Sequence, residues 1–469
     1  MPVRFFDTRQ RALVDFDPVH AGEARLYTCG PTVYNLAHIG NFRTFLFEDI
    51  LRRHLKNRGY KVTQVMNLTD IDDKIIKACR TQGVSLSDFT GPYKQAFFED
   101  IDALRMERAE HYPEATTHVP EMVEMVKALL ANEHAYKADD GSLYFRIASF
   151  PRYGELSHMD LSQLKAGARV SSDEYEKDAV SDFALWKAWD ADDGAVFWET
   201  ELGKGRPGWH LECSAMSIKY LGNPFDIHTG GVDNIFPHHE NEIAQTIAAT
   251  GKAFANYWLH AEHLIVEGRK MAKSLGNFFT LRDLTAKGYS PVAVRYLLIS
   301  THYRQQLNFT FDGLDAARAA IGRLRDFNRR LTEVANDGPG HGDFADLVNE
   351  TREQFNAHLD NDLNVSGALG VLFDFVRDAN RRLDANAADR TDAARALDLM
   401  AEFDRILGVL EEDKPAASDD AEIDQLIKER NDARASKNWA RSDEIRVLLD
   451  QRGIILEDTP GGTRWKRRI

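Results

Sequence analysis

Residues 24–28 form a short apolar-rich run that stops at Cys29-Gly30-Pro31, the pattern of a strand entering a loop. From about Gly40 the period lengthens. Phe42, Phe45, Leu46, Asp49, Ile50 and Arg53 recur at helical spacing, apolar on one side, with Arg52, Arg53 and Lys56 toward the other. A second strand over 61–66 closes a βαβ unit, and such units build parallel sheets whose ligands sit beyond the carboxyl ends of the strands. Cys29 and His38 follow the first strand; Asn67, Thr69, Asp70, Asp72 and Asp73 follow the second. The site is therefore expected at that edge.

The α/β rhythm breaks between about 115 and 205, where Gly141, Gly154, Gly167 and the cluster Asp190, Asp192, Asp193 interrupt it, so this stretch reads as an insertion. The sheet resumes near Trp209. A strand over 225–228 runs into Thr229-Gly230-Gly231, a helix is expected from Pro237, a residue suited to a first helical position, and 263–266 forms a further strand. From Leu314 the pattern becomes long amphipathic helices, with Leu314, Ala317, Ile321, Leu324 and Leu331 on one and Leu399, Phe403, Ile406 and Leu410 on another, which predicts a helical bundle. Gly338-Pro339-Gly340 is a turn within it. Residues 411–420, with Pro415 and few large apolar positions, read as a linker to a small terminal unit.

A chain of 469 residues is too long for one core, so two to four domains are expected. With 43% hydrophobic and 28% charged residues and no apolar run long enough to cross a bilayer, no membrane partner is predicted. The start, Met1-Pro2-Val3-Arg4, has no basic-then-hydrophobic signal segment, and a cytoplasmic location is expected. Three cysteines make no disulfide framework. Cys79 reads as a packing residue. The net charge of −15 argues against a nucleic-acid partner, but residues 421–469 hold 11 Lys+Arg against 9 Asp+Glu, so this tail is net +2 and the remainder −17. Arg464, Lys466, Arg467 and Arg468 flank Trp465, a combination of cations and aromatic that fits either an RNA surface or a solvated terminus.

Two short signatures suggest ATP chemistry. The first is Gly30-Pro31-Thr32-Val33-Tyr34-Asn35-Leu36-Ala37-His38-Ile39-Gly40-Asn41. Phosphates are favoured at a helix amino terminus, Gly40 lets a ligand approach the backbone, and His38 can donate to an oxyanion. The second, Lys270-Met271-Ala272-Lys273-Ser274, places two ammonium groups three positions apart, where they could neutralise a pyrophosphate leaving group. Each alone is also what a helix start or a solvated loop looks like. A third constellation adds Cys29, Cys213 after Trp209-His210-Leu211-Glu212, and the helix opening at Pro237-His238-His239-Glu240-Asn241-Glu242. His238 and Glu242 are four apart and share a face. Two thiolates, an imidazole and a carboxylate would make a four-ligand zinc shell inside the cleft, although such residues also serve structure alone.

The paired signatures resemble those of class I aminoacyl-tRNA synthetases, with Asn41 where a second histidine is common and Ala272 where serine is. Over essentially its whole length the chain resembles the cysteinyl-tRNA synthetase family. The matching strings include Cys29-Gly30-Pro31-Thr32-Val33-Tyr34, Asn67-Leu68-Thr69-Asp70-Ile71-Asp72-Asp73-Lys74, Gly205-Arg206-Pro207-Gly208-Trp209-His210-Leu211-Glu212-Cys213-Ser214-Ala215-Met216, Phe236-Pro237-His238-His239-Glu240-Asn241-Glu242, and residues 270–279. The resemblance implies an α/β fold: a Rossmann-like parallel-sheet catalytic domain in two halves (1–114 and 206–265), a connective insertion (115–205), a signature-loop region contacting the tRNA stem (266–313), a helical bundle domain (314–410), a linker (411–422) and an anticodon-binding domain (423–469). It implies one Zn2+ on Cys29, Cys213, His238 and Glu242 that binds the thiolate of substrate cysteine. It also implies Mg2+ with ATP held by Gly30, Thr32, His38, Gly40, Asn41, Lys270 and Lys273, with His38, Lys270 and Lys273 catalytic. Cys29, Thr69, Trp209, His228 and Asp233 match the amino-acid pocket; Arg434, Trp439, Asp443, Arg446 and Asp458 match the anticodon surface of tRNA(Cys). L-cysteine, ATP and tRNA(Cys) are thus the expected partners, and a monomer is expected. Thiolate coordination separates cysteine from serine strongly enough to make editing unnecessary, so the insertion is not expected to be an editing domain. Two other readings use the same residues: a thiol-biosynthesis ligase passing cysteine to an aminosugar, and a non-catalytic RNA-binding paralogue.

Overall fold

The computed structural model describes residues 2–159, 169–170, 182–410, 417–451, 454–459 and 462–467. Its centre is β1 (Glu23–Thr28), α1 (Ile39–Asn57), β2 (Lys61–Met66), α2 (Trp209–Leu221), β3 (Phe225–Gly231), α3 (Glu240–Thr250) and β4 (Ala255–Ala261). The strands pair in the order β4-β3-β1-β2, all parallel, with Ile227 beside Leu26 and Leu26 beside Gln64. Leu26, Tyr27 and Thr28 are fully buried, as expected for a sheet covered on both faces. The chain leaves β1 toward β2 on one side while β3 lies on the other, so strand order reverses between β1 and β3 and a ligand crevice opens at their carboxyl ends.

One face of the sheet carries α1, whose Phe42, Phe45, Leu46 and Ile50 belong to a core continuous with the helical bundle. The bundle comprises Phe311–Thr332, Gly342–Asp360, Val365–Asp384 and Arg390–Leu407. The other face is covered by α2, α3 and the insertion. The insertion holds the helix Val119–Ala131 and a largely antiparallel sheet of Ala135–Lys137, Leu143–Phe145, Asp182–Ala188, Gly203–Pro207 and Trp198–Thr200. Its strand Gly203–Pro207 runs past position 205. Cys79 packs beside Ile75 and Phe89.

The regular helix expected from Pro237 begins at Glu240, because Phe236 is extended (φ −134°, ψ 134°) and residues Ile235–His239 form a wider turn before it. After β4 come β5 (Leu264–Val266), β6 (Arg269–Lys270), α4 (Pro291–Ser300) and β7 (Leu307–Phe309), with β5 between β6 and β7. Residues 411–416 of the stretch read as a linker lie outside the described residues, as do Gly167 and Arg468, and a helix starts at Ala417. The small terminal unit packs the helices Ala417–Ala435 and Trp439–Gln451 and a hairpin of Ile454–Thr459 and Gly462–Arg467 around Ile423, Ile427, Ile445, Leu449 and Ile454. Trp465 packs against that core and its indole donates to Asp424 at 2.9 Å, so it is a structural residue of the unit.

Candidate active site

The loop leaving β1 is stitched to the loop leaving β2. A Cβ on Gly30 would lie 1.8 Å from the carbonyl oxygen of Asn67, so only glycine fits there, and the Gly30 amide donates to Asn67 Oδ1 at 2.9 Å. Val33 donates to the Thr69 carbonyl at 3.0 Å and Thr69 to the Pro31 carbonyl at 3.1 Å. Thr32 bridges Thr69 in this short pairing. These residues therefore shape the crevice wall from behind.

His38 ends the loop as the N-cap of α1. Its Nδ1 accepts the Asn41 amide at 3.1 Å while the Asn41 side chain accepts the His38 amide at 3.1 Å, a reciprocal cap. Nδ1 is thereby an acceptor, and Nε2 carries the ring's N–H. Burial pulls the pKa of His38 down to about 4, so the ring is neutral at physiological pH. Asn41, standing where a second histidine would carry charge, completes the cap instead.

A cavity of about 630 Å³ opens at this helix terminus, bordered by Cys29, Gly30, His38, Gly40, Asn41, Asp233 and Lys270. Met271 of the lysine signature also borders it, as do Thr44, Asn234, His263 and Gln306, which carried no signature in the sequence. Lys273 lies outside this wall, its Nζ 5.1 Å from the Phe278 ring, against whose face or edge the His38 ring packs at 5.0 Å and 79°. Asn277 shapes the lysine loop: its Oδ1 accepts the Ala272 amide at 2.8 Å and its Nδ2 donates to the Lys270 carbonyl at 3.0 Å.

Below the cavity, ligand-type atoms of Cys29, Cys213, His238 and Glu242 lie within 4.8 Å of one another, all buried. They come from the end of β1, α2, the turn before α3 and α3 itself. His238 Nε2 stands 3.0 Å from Glu242 Oε1, yet that buried oxygen has no aligned hydrogen-bond partner. His238 Nδ1 meets His210 Nδ1 at 2.8 Å, and the Trp209 ring stacks on His238 at 4.2 Å. Cys29, His228, His239 and Glu242 form a second cluster of the same kind. In it, His228 Nε2 is bonded to Glu242 Oε2 at 2.9 Å, and His239 is engaged at both nitrogens, to Cys29 Sγ at 3.4 Å and His260 Nε2 at 2.8 Å. The adjacent histidines 238 and 239 of the sequence motif thus face different partners.

The cluster's charges support one another. Burial opposes the Cys213 thiolate, but the Cys29 hydrogen bond and His238 draw its pKa down to about 6. Burial and the Cys213 neighbour push Cys29 well up. Burial opposes charge on Glu242, which His228 and His238 nevertheless hold at about 2. The shared crevice therefore joins a helix amino terminus, capped by His38 and Asn41, to a compact thiol, imidazole and carboxylate cluster.

Residues 15–319 match the catalytic domain described as tRNA synthetases class I (C), residues 354–411 a DALR domain, and residues 419–465 the cysteinyl-tRNA ligase anticodon binding domain. Mycobacterium tuberculosis methionyl-tRNA synthetase in complex with methionyl-adenylate shares the fold, with a TM-score of 0.61 at 14% identity over 82% of this chain and 90% of that one. Fold and signatures together define a class I aminoacyl-tRNA synthetase. The chain is 51% identical to a cysteine–tRNA ligase of Protochlamydia amoebophila (strain UWE25), covering 100% of this chain and 98% of that protein. It is likewise 51% identical to one of Solibacter usitatus (strain Ellin6076), covering 100% of both. The chain belongs to the cysteine–tRNA ligase family, whose members are ATP-dependent, AMP-forming ligases, and it is such an enzyme.

In the terminal domain Trp439 is 59% exposed, and Trp439, Asp443 and Arg446 fall at spacings of four and three along one helix, on its exposed side. Arg434 is exposed near the end of the preceding helix. The side chain of Asp458 lies outside what the structure describes. No helix among the described residues is long and apolar enough to cross a membrane.

Proposed function

We propose that this enzyme activates L-cysteine with ATP and transfers it to the 3′ end of tRNA(Cys), acting as a cytoplasmic monomer, with one zinc ion selecting cysteine through its thiolate. The observation carrying this reading is the meeting, at the carboxyl edge of one parallel sheet, of two buried thiols, an imidazole and a carboxylate oxygen that has the imidazole 3.0 Å away but no aligned hydrogen bond. Cys29, Cys213, His238 and Glu242 would hold the ion, since two soft sulfurs favour zinc and the His228 and His239 nitrogens facing the rival cluster are already engaged. Bound zinc would supply a thiophilic centre that distinguishes a thiol from a hydroxyl. Trp209 and His210 fix the His238 ring, one by stacking and one through Nδ1.

The rest of the reaction is positioning and electrostatics. ATP, with Mg2+, occupies the cavity with its phosphates at the α1 terminus, where the His38 Nε2–H faces a phosphate oxygen; a Cβ on Gly40 would press on the His38 ring at 2.9 Å, so glycine there lets that ring sit as it does. Lys270 and Lys273 neutralise the leaving pyrophosphate. The carboxylate of cysteine attacks the α-phosphorus, expelling pyrophosphate and leaving the cysteinyl-adenylate; the terminal ribose hydroxyl of tRNA then attacks its carbonyl carbon and AMP leaves. Thr69, His228 and Asp233 shape the amino-acid side of the pocket. Arg434, Trp439, Asp443 and Arg446 present a stacking and hydrogen-bonding face to unpaired anticodon bases. The insertion plays no hydrolytic part. An aminosugar acceptor fits less well, because residues 419–465 match an anticodon-binding domain.

The test is transfer of labelled cysteine to bulk bacterial tRNA, with labelled serine as control and zinc measured in the purified protein. Cysteine charging without serine charging, at one zinc per chain, is expected. Comparable serine charging would sink the selection mechanism, and pyrophosphate exchange without tRNA charging would move the acceptor elsewhere.

A further inference from the structure

Arg43, on α1 one turn beyond Gly40, is 3% exposed. No carboxylate pairs with it among the described residues. Its Nη1 donates to the carbonyls of Leu298 and, at 3.0 Å, Thr301, and its Nη2 to those of His302 and Gln305 at 2.8 and 3.1 Å. Leu298 and Thr301 end α4, whose last carbonyls lack helical partners and attract a cation. A buried guanidinium solvated by peptide carbonyls alone is costly to maintain. What it holds in place is the turn leading directly to Gln306.

That turn has two further anchors. The Tyr303 carbonyl accepts the Glu262 amide at 2.8 Å, and Asp362 of the bundle accepts from Tyr303 Oη and Arg304 Nε, both at 2.6 Å. Gln306 then emerges exposed on the wall of the ATP cavity. Its neighbour Leu307 pairs with Leu264 on one edge of β5, while Lys270 pairs with Ile265 on the other. Two strand spacings separate those edges, about 10 Å. If Lys270 meets the phosphates, Gln306 stands at the nucleoside end of the same ligand. A glutamine amide carries a donor and an acceptor, matching the amino group and ring nitrogen of adenine.

We infer that Gln306 contacts the adenine base of ATP and that Arg43 is the positioning residue that delivers it. The inference rests on the proposed placement of ATP in this cavity. Cysteine-dependent pyrophosphate exchange tests it, with ATP and with the analogue lacking the 6-amino group. Q306A should raise the KM for ATP by roughly 3- to 10-fold, the loss of about one hydrogen bond, leave the KM for cysteine unmoved, and erase the preference for ATP over the analogue. R43K keeps the cation and loses the forked donors, so it should raise the KM for ATP in the parent and add little in combination with Q306A. An unchanged KM for ATP in Q306A, or an R43K effect equally large with and without Q306A, would overturn the inference. Should R43K fail to fold, Q306A on its exposed side chain decides alone. Absence of exchange by the parent enzyme would count against the functional reading itself.

Discussion

The sulfur cluster and the lysine loop belong to one cleft and are built in opposite ways. Cys213 and His238 are 1% exposed and Glu242 is fully buried, whereas Leu275 at the tip of the lysine loop is 57% exposed. His238 has Trp209 on its face and His210 on its Nδ1, and Glu242 Oε2 has His228. The lysine loop has Asn277 bridging its two sides. Charges inside a low-dielectric pocket act strongly and are arranged before substrate arrives; charges in water are screened and act once a ligand excludes that water. On the proposed reading, selection of the amino acid is thus preorganised, and handling of the phosphates is completed by ATP itself.

Breaking the buried side should have the larger effect. Cys213→Ser keeps the volume and removes a soft donor, and cysteine activation is expected to fall by roughly 10⁴-fold, on the scale of sites that lose a specific polar match, with zinc dropping below one per chain. Pyrophosphate exchange and metal analysis on the same preparation check this; full zinc with full activity would remove Cys213 from the cluster. Lys273→Ala attacks the exposed side. It should lower adenylate formation by about 10²- to 10³-fold, the range for losing one charge-stabilising donor, while zinc content and melting temperature stay at parental values. A fall in zinc would mean that the two regions are not independent.

The same contrast governs what could be read in the sequence. Strands β1 and β2 and helix α1 were legible because burial on the sheet imposes apolar runs and a helical period on residues such as Leu26 and Phe45, and the helix start was marked by His38 and Gly40. The Cys29, Cys213, His238 and Glu242 cluster was legible as one candidate shell from its donor types and the four-residue spacing of His238 and Glu242, but with its members remote in the chain the residues alone left a purely structural role open, and resemblance chose between the two. The wider turn at 235–239 was not legible, because Pro237 carries the same chemistry at a regular helix start. Gln306 and Asn277 were also missed: each acts through where the backbone delivers one amide, which leaves no periodicity and no unusual residue type.

His38 joins the two regions, being a helix cap and, on the proposed reading, a donor to the phosphates as well. His38→Asn keeps a capping side chain and shortens the donor, so adenylate formation should fall by about 10- to 10²-fold. The pH dependence isolates its second property. Burial holds the folded-state pKa at about 4, below the ordinary 6.5. As pH falls from about 6.5 to 4 the unfolded chain therefore binds a proton that the folded ring refuses, and stability is lost through that window. Relative to the variant, the parent should lose up to about 3 kcal/mol between pH 7 and pH 4, measured by denaturant unfolding of both proteins. Parallel pH curves would place the proton on the folded ring after all.

The smallest effect is expected at Asn277. Asn277→Ala removes both hydrogen bonds that bridge the lysine loop, worth about 1 kcal/mol each at most on an exposed segment, so adenylate formation should fall by only about 3- to 10-fold. If ATP orders the loop by neutralising its lysines, as the proposed reading requires, the deficit should shrink as ATP approaches saturation, raising KM for ATP more than it lowers kcat. The buried cluster should give no such rescue: if its residues hold zinc as proposed, no concentration of cysteine restores a missing metal ligand. A deficit in N277A that persists at saturating ATP would show that the loop's geometry, like the cluster's, must be set in advance, and the division between a preorganised region and a ligand-completed one would have to be abandoned.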